Sequence, residues 1–337
     1  MIMIEQNISL KKYNTFGIDA KAKYFSTFNT VDELTELLEF DQNSKRLILG
    51  GGSNILLTQN FDGLVLKNDL IGIEKINKDD QYVYVKAGAG VNWHQFVLHC
   101  IDNDFCGVEN LSLIPGNVGA SPMQNIGAYG VEIKDVFYEL EAFDLTAKKN
   151  VKFNLTDCEF GYRESVFKRK YKDQFVITAV TYRLNKKPVF NTSYGAIEQE
   201  LEKMGVKELS IKAISDAVIN IRSSKLPNPA EIGNAGSFFK NPEINNEQFA
   251  TLKEQYPNMV GYDLENGNVK LAAGWLIEQC GWKGFREGDA GCHAKQALVL
   301  VNYGNANGNE IYSLSEKILT SVNEKFNVIL EREVNII

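Results

Sequence analysis

The chain has 337 residues, of which 44% are hydrophobic and 23% are charged, a composition typical of a globular protein with two or three domains. Its formal net charge of −7 argues against a nucleic-acid partner held by a basic surface, but not against a small anionic substrate. No apolar run is long enough to cross a membrane and no signal peptide is recognisable, so we expect a cytoplasmic protein without a membrane partner. The five cysteines are scattered, which argues against a disulfide framework or a metal site.

Hydrophobic periodicity predicts a mixture of helices and strands. Helices are expected where apolar residues recur every three or four positions, and strands where short β-branched or aromatic runs end at glycine. The first helix also has Thr30 and Glu33 at the spacing of a capping box. In chain order we predict a helix over residues 30–40, strands over 46–49 and 82–85, a helix over 91–101, strands over 136–143 and 175–184, helices over 211–221 and 271–280, a strand over 297–301, a helix over 310–326 and a closing strand over 328–336.

A glycine triplet directly follows the first predicted strand. A strand that runs into glycine places backbone N–H groups where they can face a phosphate. The segment is not a P-loop, because no G-K-[ST] follows. It is not the usual dinucleotide fingerprint either, because Ile55 stands where the third glycine would be. A plain turn explains the triplet equally well. The residues concerned are Gly50, Gly51, Gly52, Ser53 and Asn54.

The stretch from Ile114 to Gly130 is the most unusual part of the chain. Its sequence is I-P-G-N-V-G-A-S-P-M-Q-N-I-G-A-Y-G, with apolar residues spaced through it and no charged side chain. Such a segment allows backbone N–H groups to approach a ligand closely, and the ligand expected for N–H donors is an anion such as a phosphate. The competing interpretation is a set of buried tight turns.

Two polar residues stand among aromatic ones. Arg163 lies in F-G-Y-R-E-S-V-F-K, and arginine is suited to an anionic or enolate-like oxygen in a dry site. A surface salt bridge to Glu164 or Glu159 is the competing interpretation. Ser237 lies in G-N-A-G-S-F-F-K-N-P, where its hydroxyl can act as a proton donor at a bound ligand or simply as a turn residue.

Four stretches, in this order, resemble the UDP-N-acetylenolpyruvoylglucosamine reductase (MurB) family. They are the glycine triplet with Ser53 and Asn54, then I-P-G-x-x-G followed by Q-N-I-G-A-Y-G, then Y-R-E-S-x-F-K, and finally G-N-A-G-S-F-F-K-N-P. The resemblance covers nearly the whole chain, and the second and fourth stretches are long and specific. Tyr194 and Gly195 are similar to the form of the family that has a tyrosine loop over the substrate.

The resemblance implies an α+β fold class, namely the FAD-binding fold of the vanillyl-alcohol-oxidase type. It implies two FAD-binding subdomains, residues 1–67 with the closing strand 327–337 and residues 68–208, and an α/β substrate domain over 209–326. It also implies non-covalent FAD, NADPH as co-substrate, and reduction of UDP-N-acetylglucosamine enolpyruvate to UDP-N-acetylmuramate for peptidoglycan synthesis. We expect the chain to act as a monomer.

The resemblance further implies roles for individual residues. Ser237 is the expected proton donor, and Arg163 and Glu333 are the expected partners of the substrate carboxylate and the enolate-like intermediate. The expected substrate contacts are Tyr162, Tyr194, Lys225 and Asn241. The expected FAD contacts are Gly50, Gly51, Gly52, Ser53, Asn54, Ile114, Pro115, Gly116, Gly119, Ala120, Ser121, Gln124, Asn125, Gly127 and Ala128.

The closing strand departs from the family pattern. Arg332 stands where the family usually has the proline of E-P-E-V, so either Glu331 or Glu333 is the carboxylate that points into the site, and Val334 favours Glu333. Two other functions also stay open. A flavin oxidase of the same fold would react fast with oxygen and ignore NADPH, and a nucleotide-sugar binding protein without catalysis would be colourless.

Overall fold

The structure is a computed structural model that describes residues 2–40, 44–193 and 195–337, and its contacts divide the chain into two compact units. The first comprises Met1–Ile8, Ala22–Gly52 and Asp62–Ser224, and the second comprises Ser9–Lys21, Ser53–Phe61 and Lys225–Ile337. The boundaries of the three domains expected from the sequence stay a prediction. None of the helices in the described ranges combines the length and apolar character needed to span a bilayer.

Helices and strands are distributed through both units. In chain order the strands are β1 (Glu5–Ser9), β2 (Lys21–Phe28), β3 (Lys45–Leu49), β4 (Ile55–Leu56), β5 (Phe61–Asn68), β6 (Ile73–Lys78), β7 (Tyr82–Gly88), β8 (Gly127–Ala128), β9 (Val131–Glu132), β10 (Phe137–Asp144), β11 (Lys149–Asn154), β12 (Phe175–Asn185), β13 (Gly233–Ser237), β14 (Glu243–Asn245), β15 (Gly261–Asp263), β16 (Asn268–Leu271), β17 (Arg286–Glu287), β18 (Ala290–Cys292), β19 (Val299–Asn302) and β20 (Asn335–Ile336). The α-helices are α1 (Val31–Glu39), α2 (Trp93–Asp102), α3 (Ile133–Val136), α4 (Gly195–Lys203), α5 (Ile211–Lys225), α6 (Asn246–Gln255), α7 (Ala273–Gln279) and α8 (Gly308–Phe326).

The first unit is built on two sheets. A four-stranded sheet has the order β1-β2-β5-β3, in which β3 and β5 run parallel. A five-stranded antiparallel sheet has the order β11-β10-β12-β7-β6. Its strand β12 lies between β10 and β7, and consecutive residues of its β-branched and aromatic run are buried, so both faces of the strand are covered. The apolar face of α2 packs here, with the ring centroid of Phe96 4.7 Å from that of Tyr182.

The second unit contains smaller sheets and the longest helix of the described chain. Strands β13-β19-β18-β17 form an antiparallel sheet, β14-β16-β15 form another, and β20 pairs in parallel with β4. Helix α8 begins with a capping box between Asn307 and Glu310 and ends at Asn327, which adopts a left-handed conformation. Ring contacts of Phe326 with Tyr256 and Trp275 attach its C-terminal end to the core.

The ends of the described chain allow two comparisons with the sequence-based expectations. Thr30 caps α1 as predicted, and the Glu33 carboxylate also accepts from the N–H of Asn29 at 2.6 Å. The closing strand predicted over 328–336 is wrong, since only β20 forms at its end. The reason is a change of partner along the segment: Arg332 makes an isolated bridge to Phe239, whereas β20 pairs with β4, so no continuous ladder forms.

Candidate active site

In the first unit the glycine triplet and the central stretch meet at their backbones. A Cβ added at Gly51 would lie 3.0 Å from the Cα of Gly116 and 2.8 Å from Oδ1 of Asn117, so only glycine fits there without displacement. Gly116 has a φ of 116°, which L side chains rarely adopt. The Asn117 side chain donates to the carbonyl of Gly90 at 2.9 Å and holds the second loop against the five-stranded sheet. The two loops therefore approach each other at their main chains, with the Asn117 side chain beside Gly51.

Several N–H groups of the central stretch are engaged within the protein. The N–H of Gly119 donates to Ala89 at 2.9 Å, that of Ala120 to Asn117 at 3.0 Å, and that of Ser121 to Val118 at 3.0 Å. A ligand of these loops is therefore bound by other atoms of these residues or by other N–H groups of the two loops. The remaining predicted FAD contacts of the stretch with partial or full exposure are Ile114, Pro115, Gln124, Gly127 and Ala128.

Asn125 connects the central stretch to the turn that carries Arg163. Its side chain is fully buried, and its Nδ2 donates to the carbonyl of Gly161 at 3.0 Å and to the Glu132 carboxylate at 3.1 Å. Its Oδ1 accepts from the N–H of Lys134 at 3.0 Å. One amide side chain thus joins the central stretch to Glu132 and Lys134, just beyond it, and to Gly161, 36 residues further along the chain, although the sequence analysis assigned Asn125 only to the cofactor.

Arg163 lies in this turn with a φ of 53°. Its Nη2 donates to the carbonyl of Gly127 at 2.6 Å, and its guanidinium lies 5.5 Å from the centroid of the Tyr162 ring. The guanidinium is therefore held beside the central stretch and on an aromatic face, where its charge is partly desolvated. The carboxylates of Glu159 and Glu164, proposed as its alternative partners, each lie 3.7 Å from a guanidinium nitrogen of Arg169.

Arg222, in the same unit as Arg163, is a further positively charged residue that the sequence analysis missed. Its Nε donates to the carbonyl of Leu113 at 3.2 Å, and His94 Nδ1 accepts from the N–H of the same residue at 3.0 Å. Burial lowers the pKa of the Arg222 guanidinium, and the nearby charge of Arg163 lowers it further. A signal was present, because Arg222 lies four residues after Val218 and so continues the apolar face of α5.

In the second unit Ser237 ends β13. It pairs with Val299 of β19, and the next residue, Phe238, donates its N–H to Leu298 at 2.7 Å. The rings of Phe238 and Phe239 are buried, so the chain on the C-terminal side of Ser237 is fixed in the core. Gly236, just before it, has a φ of 71°, which re-aims the strand at this point.

The segment that carries the two terminal carboxylates lies beside Ser237. The N–H of Glu333 donates to the carbonyl of Phe238 at 2.8 Å, and the N–H of Lys240 donates to the main-chain carbonyl of Glu331 at 2.9 Å. The Glu331 side chain is 72% exposed and pairs with the Lys240 ammonium at 3.2 Å. Glu331 is thus the solvated carboxylate of the pair. Asn54, a predicted FAD contact, donates from its side chain to the carbonyl of Glu333 at 3.3 Å.

The remaining predicted substrate contacts lie in different places. Asn241 Oδ1 accepts from the N–H of Ala273 at 3.0 Å and thereby caps α7, which leaves its amide N–H₂ group for other partners. Lys225 is exposed at the C-terminal end of α5. Tyr194 lies outside the described residues. Ser237, Asn241, Glu333 and the loop residue Asn54 therefore belong to one unit, and Arg163 with Tyr162 and the central stretch to the other.

Comparison with known proteins identifies first a class and then a family. Residues 22–148, which include the triplet and the central stretch, match the family described as FAD binding domain. The two glycine-rich loops, backbone to backbone and free of charged side chains, fit such a cofactor, and Arg163 and Arg222 supply positive charge in the same unit. The chain is therefore an FAD-dependent oxidoreductase, and FAD as its cofactor is confirmed.

The remainder of the chain specifies the family. Residues 228–337 match the C-terminal domain of UDP-N-acetylenolpyruvoylglucosamine reductase. The chain is 53% identical to that reductase of Flavobacterium johnsoniae and 52% identical to that of Amoebophilus asiaticus, over 99% of both chains in each case. It is 49% identical to that of Pseudomonas putida over 98% of both chains. The chain belongs to the UDP-N-acetylenolpyruvoylglucosamine reductase family.

A solved structure supports the fold. The reductase of this name from Thermus caldophilus has a TM-score of 0.69 with 24% identity, and the alignment covers 100% of this chain and 99% of that one. Together with the FAD-binding domain and the mixture of helices and strands, this confirms the fold class expected from the sequence.

Proposed function

We propose that this chain reduces the enolpyruvyl double bond of UDP-N-acetylglucosamine enolpyruvate, with NADPH as the electron donor, to give UDP-N-acetylmuramate for peptidoglycan. We propose further that it does so in the cytoplasm and as a monomer. The names of its relatives, at 46–53% identity over nearly the whole chain, support the substrate. One structural observation carries the proposal: Ser237 and Glu333 lie on neighbouring segments, joined by the bond from the Glu333 N–H to Phe238.

When held by the two glycine-rich loops, FAD would supply the hydride chemistry that links NADPH to the substrate. The role of Arg163 is to orient the substrate carboxylate and to stabilise the negative charge that develops beside it. Its bond to the Gly127 carbonyl and its contact with the Tyr162 ring hold the guanidinium before the substrate arrives. Such preorganisation is what makes a charged donor effective in a transition state.

Ser237 is the proposed proton donor to the substrate carbon that does not receive the hydride. A serine hydroxyl is a weak acid, so its position must be well defined and a neighbour must assist it. The buried Phe238 and Phe239 fix the position of Ser237, and Glu333 on the adjoining segment is the residue proposed to assist the proton transfer. Lys225 is proposed to bind the diphosphate, with Asn241, Tyr162 and Tyr194 as further substrate contacts.

The test of the overall function is spectroscopic. The purified protein should be yellow, acid precipitation should release all of the colour, and NADPH should bleach the flavin in the absence of oxygen. The enolpyruvyl substrate should then restore the colour. A flavin oxidase would instead be reoxidised fast by oxygen and would not respond to NADPH, and that result would exclude the proposed reaction.

The test of Ser237 separates the two half-reactions. Ser237→Ala should abolish reoxidation of the reduced flavin by the enolpyruvyl substrate and leave reduction by NADPH nearly intact, since only the first needs a proton from this residue. Ser237→Cys should keep part of the activity because a thiol can donate a proton. Ser223→Ala, at an exposed serine of α5, is the matched control. Stopped-flow measurement of unimpaired reoxidation in Ser237→Ala would remove Ser237 from the mechanism.

A further inference from the structure

The side chain of Arg332 makes an unusual set of contacts for a residue in a terminal segment. Its Nε donates to the hydroxyl of Ser315 at 2.8 Å, its Nη2 donates to the Glu316 carboxylate, and its guanidinium lies 4.6 Å from the centroid of the Tyr312 ring. The three partners are spaced by three and four residues along α8, so they lie on one face of a single turn. Only 19% of the Arg332 side chain is exposed.

These contacts differ from an ordinary surface ion pair in their geometry. An exposed pair contributes little because two mobile side chains must be ordered for one charge contact. Here the hydroxyl of Ser315 is itself fixed, since it donates to the Tyr312 carbonyl at 2.6 Å and the residue is fully buried. The hydrogen bond from Arg332 also lowers the pKa of the Glu316 carboxyl from its ordinary value. The guanidinium is therefore held by a hydrogen bond, an ion pair and an aromatic face at once.

The position of Arg332 determines what it can do for its neighbour. Successive side chains of an extended segment point to opposite sides. Arg332 bridges to Phe239, and its side chain is committed to α8. The Glu333 side chain must therefore project to the opposite side of the segment. The hydrogen bond from the Glu333 N–H to the Phe238 carbonyl fixes the position of Glu333 along the neighbouring strand, next to Ser237.

We propose that Arg332 is a positioning residue for Glu333, which sets the direction of that carboxylate by attaching the segment to α8. The inference rests on the proposed function, in which Glu333 assists the proton transfer. Arg332 itself touches neither substrate nor cofactor in this proposal. Its effect is confined to the step that uses Glu333.

The experiment compares the two half-reactions in FAD-loaded variants. Arg332→Met keeps an unbranched apolar side chain and removes the guanidinium group. It should slow reoxidation of the reduced flavin by the enolpyruvyl substrate by about tenfold to a hundredfold. Reduction by NADPH and substrate affinity should stay at the wild-type values. Arg332→Lys, which keeps the charge, should recover part of the rate. Glu324→Gln, which removes an exposed carboxylate further along α8, is the matched control and should react as the wild type does.

A double-variant comparison decides whether Arg332 acts through Glu333. Arg332→Met combined with Glu333→Gln should be no slower than Glu333→Gln alone, because effects through one residue are not additive. Losses that multiply, or a wild-type rate in Arg332→Met beside a slow Glu333→Gln, would overturn the positioning inference alone. A wild-type rate in Glu333→Gln would overturn the role of Glu333 and this inference with it. If Arg332→Met fails to fold, Arg332→Lys and Glu316→Gln take its place in the same comparison.

Discussion

Replacing Asn125 should destabilise the first unit and weaken the site together. The fully buried amide joins the central stretch to Gly161, in the turn of Arg163, and to Lys134 at the start of α3. Asn125→Ala removes these bonds and leaves the Gly161 carbonyl without this donor. It also places alanine at a φ of 45°, in the left-handed region that asparagine tolerates better.

The size of the effect follows from the bonds that are lost. The two bonds to main-chain groups contribute about 0.5–1.5 kcal/mol each, and the bond to the Glu132 carboxylate about 1.5–3 kcal/mol. The left-handed backbone adds about 1 kcal/mol against alanine. Asn125→Ala should therefore lower the free energy of unfolding by about 3.5–7 kcal/mol. Asn125→Asp keeps the acceptor for Lys134 but sets a carboxylate against Glu132, so it should be at least as unstable at neutral pH.

The assay is urea denaturation at a fixed excess of FAD, since bound ligand adds its own stabilisation. Asn150→Ala, at an exposed asparagine of β11, is the control. The turnover of Asn125→Ala should also fall, because the turn that carries Arg163 loses an anchor. If Asn125→Ala unfolded at the same urea concentration as Asn150→Ala, the structural role of this amide would be wrong. Full stability with lost flavin would instead assign Asn125 to the cofactor alone.

Three further predictions concern single side chains. Lys225→Met should raise KM and leave kcat unchanged in steady-state kinetics, because a diphosphate contact is the same before and during reaction; a lower kcat at unchanged KM would refute this assignment. Burial lowers the pKa of His94, so the stability that its neutral ring gives by accepting from Leu113 should be lost as the pH falls below about 6.5, and thermal denaturation of His94→Gln should show a weaker dependence on pH. Burial raises the pKa of Cys158 to about 12, so mass spectrometry after alkylation at about pH 8 should find it unmodified in the native protein, whereas the partly exposed Cys280 reacts first.

Local patterns predicted five of the eight α-helices in the described ranges, because the causes of those five are local, whereas α3, α4 and α6 were not predicted. Five of the six apolar residues of α2 recur at helical spacing and are buried, from Trp93 to Ile101, whereas Leu98 is 40% exposed. The N-cap of α1 at Thr30 was likewise visible in the sequence. The hydrogen bond from Arg222 to Leu113 was not visible, because these two residues are 109 positions apart in sequence. The same holds for the bonds that Asn125 makes, whose partners only the folded chain brings together.

The terminal segment shows why the choice between Glu331 and Glu333 needed the structure. The two carboxylates are two residues apart, so the alternation of an extended chain places them on the same side and cannot distinguish them. The ion pairs on the two sides of the segment distinguish the two carboxylates. Lys240 pairs with Glu331 on one side, and Glu316 pairs with Arg332 on the other. A slip of two residues would break both pairs and move the bond at Phe238 from Glu333 to another residue. The charges around the segment are therefore compatible with one register, and that register places Glu333 beside Ser237.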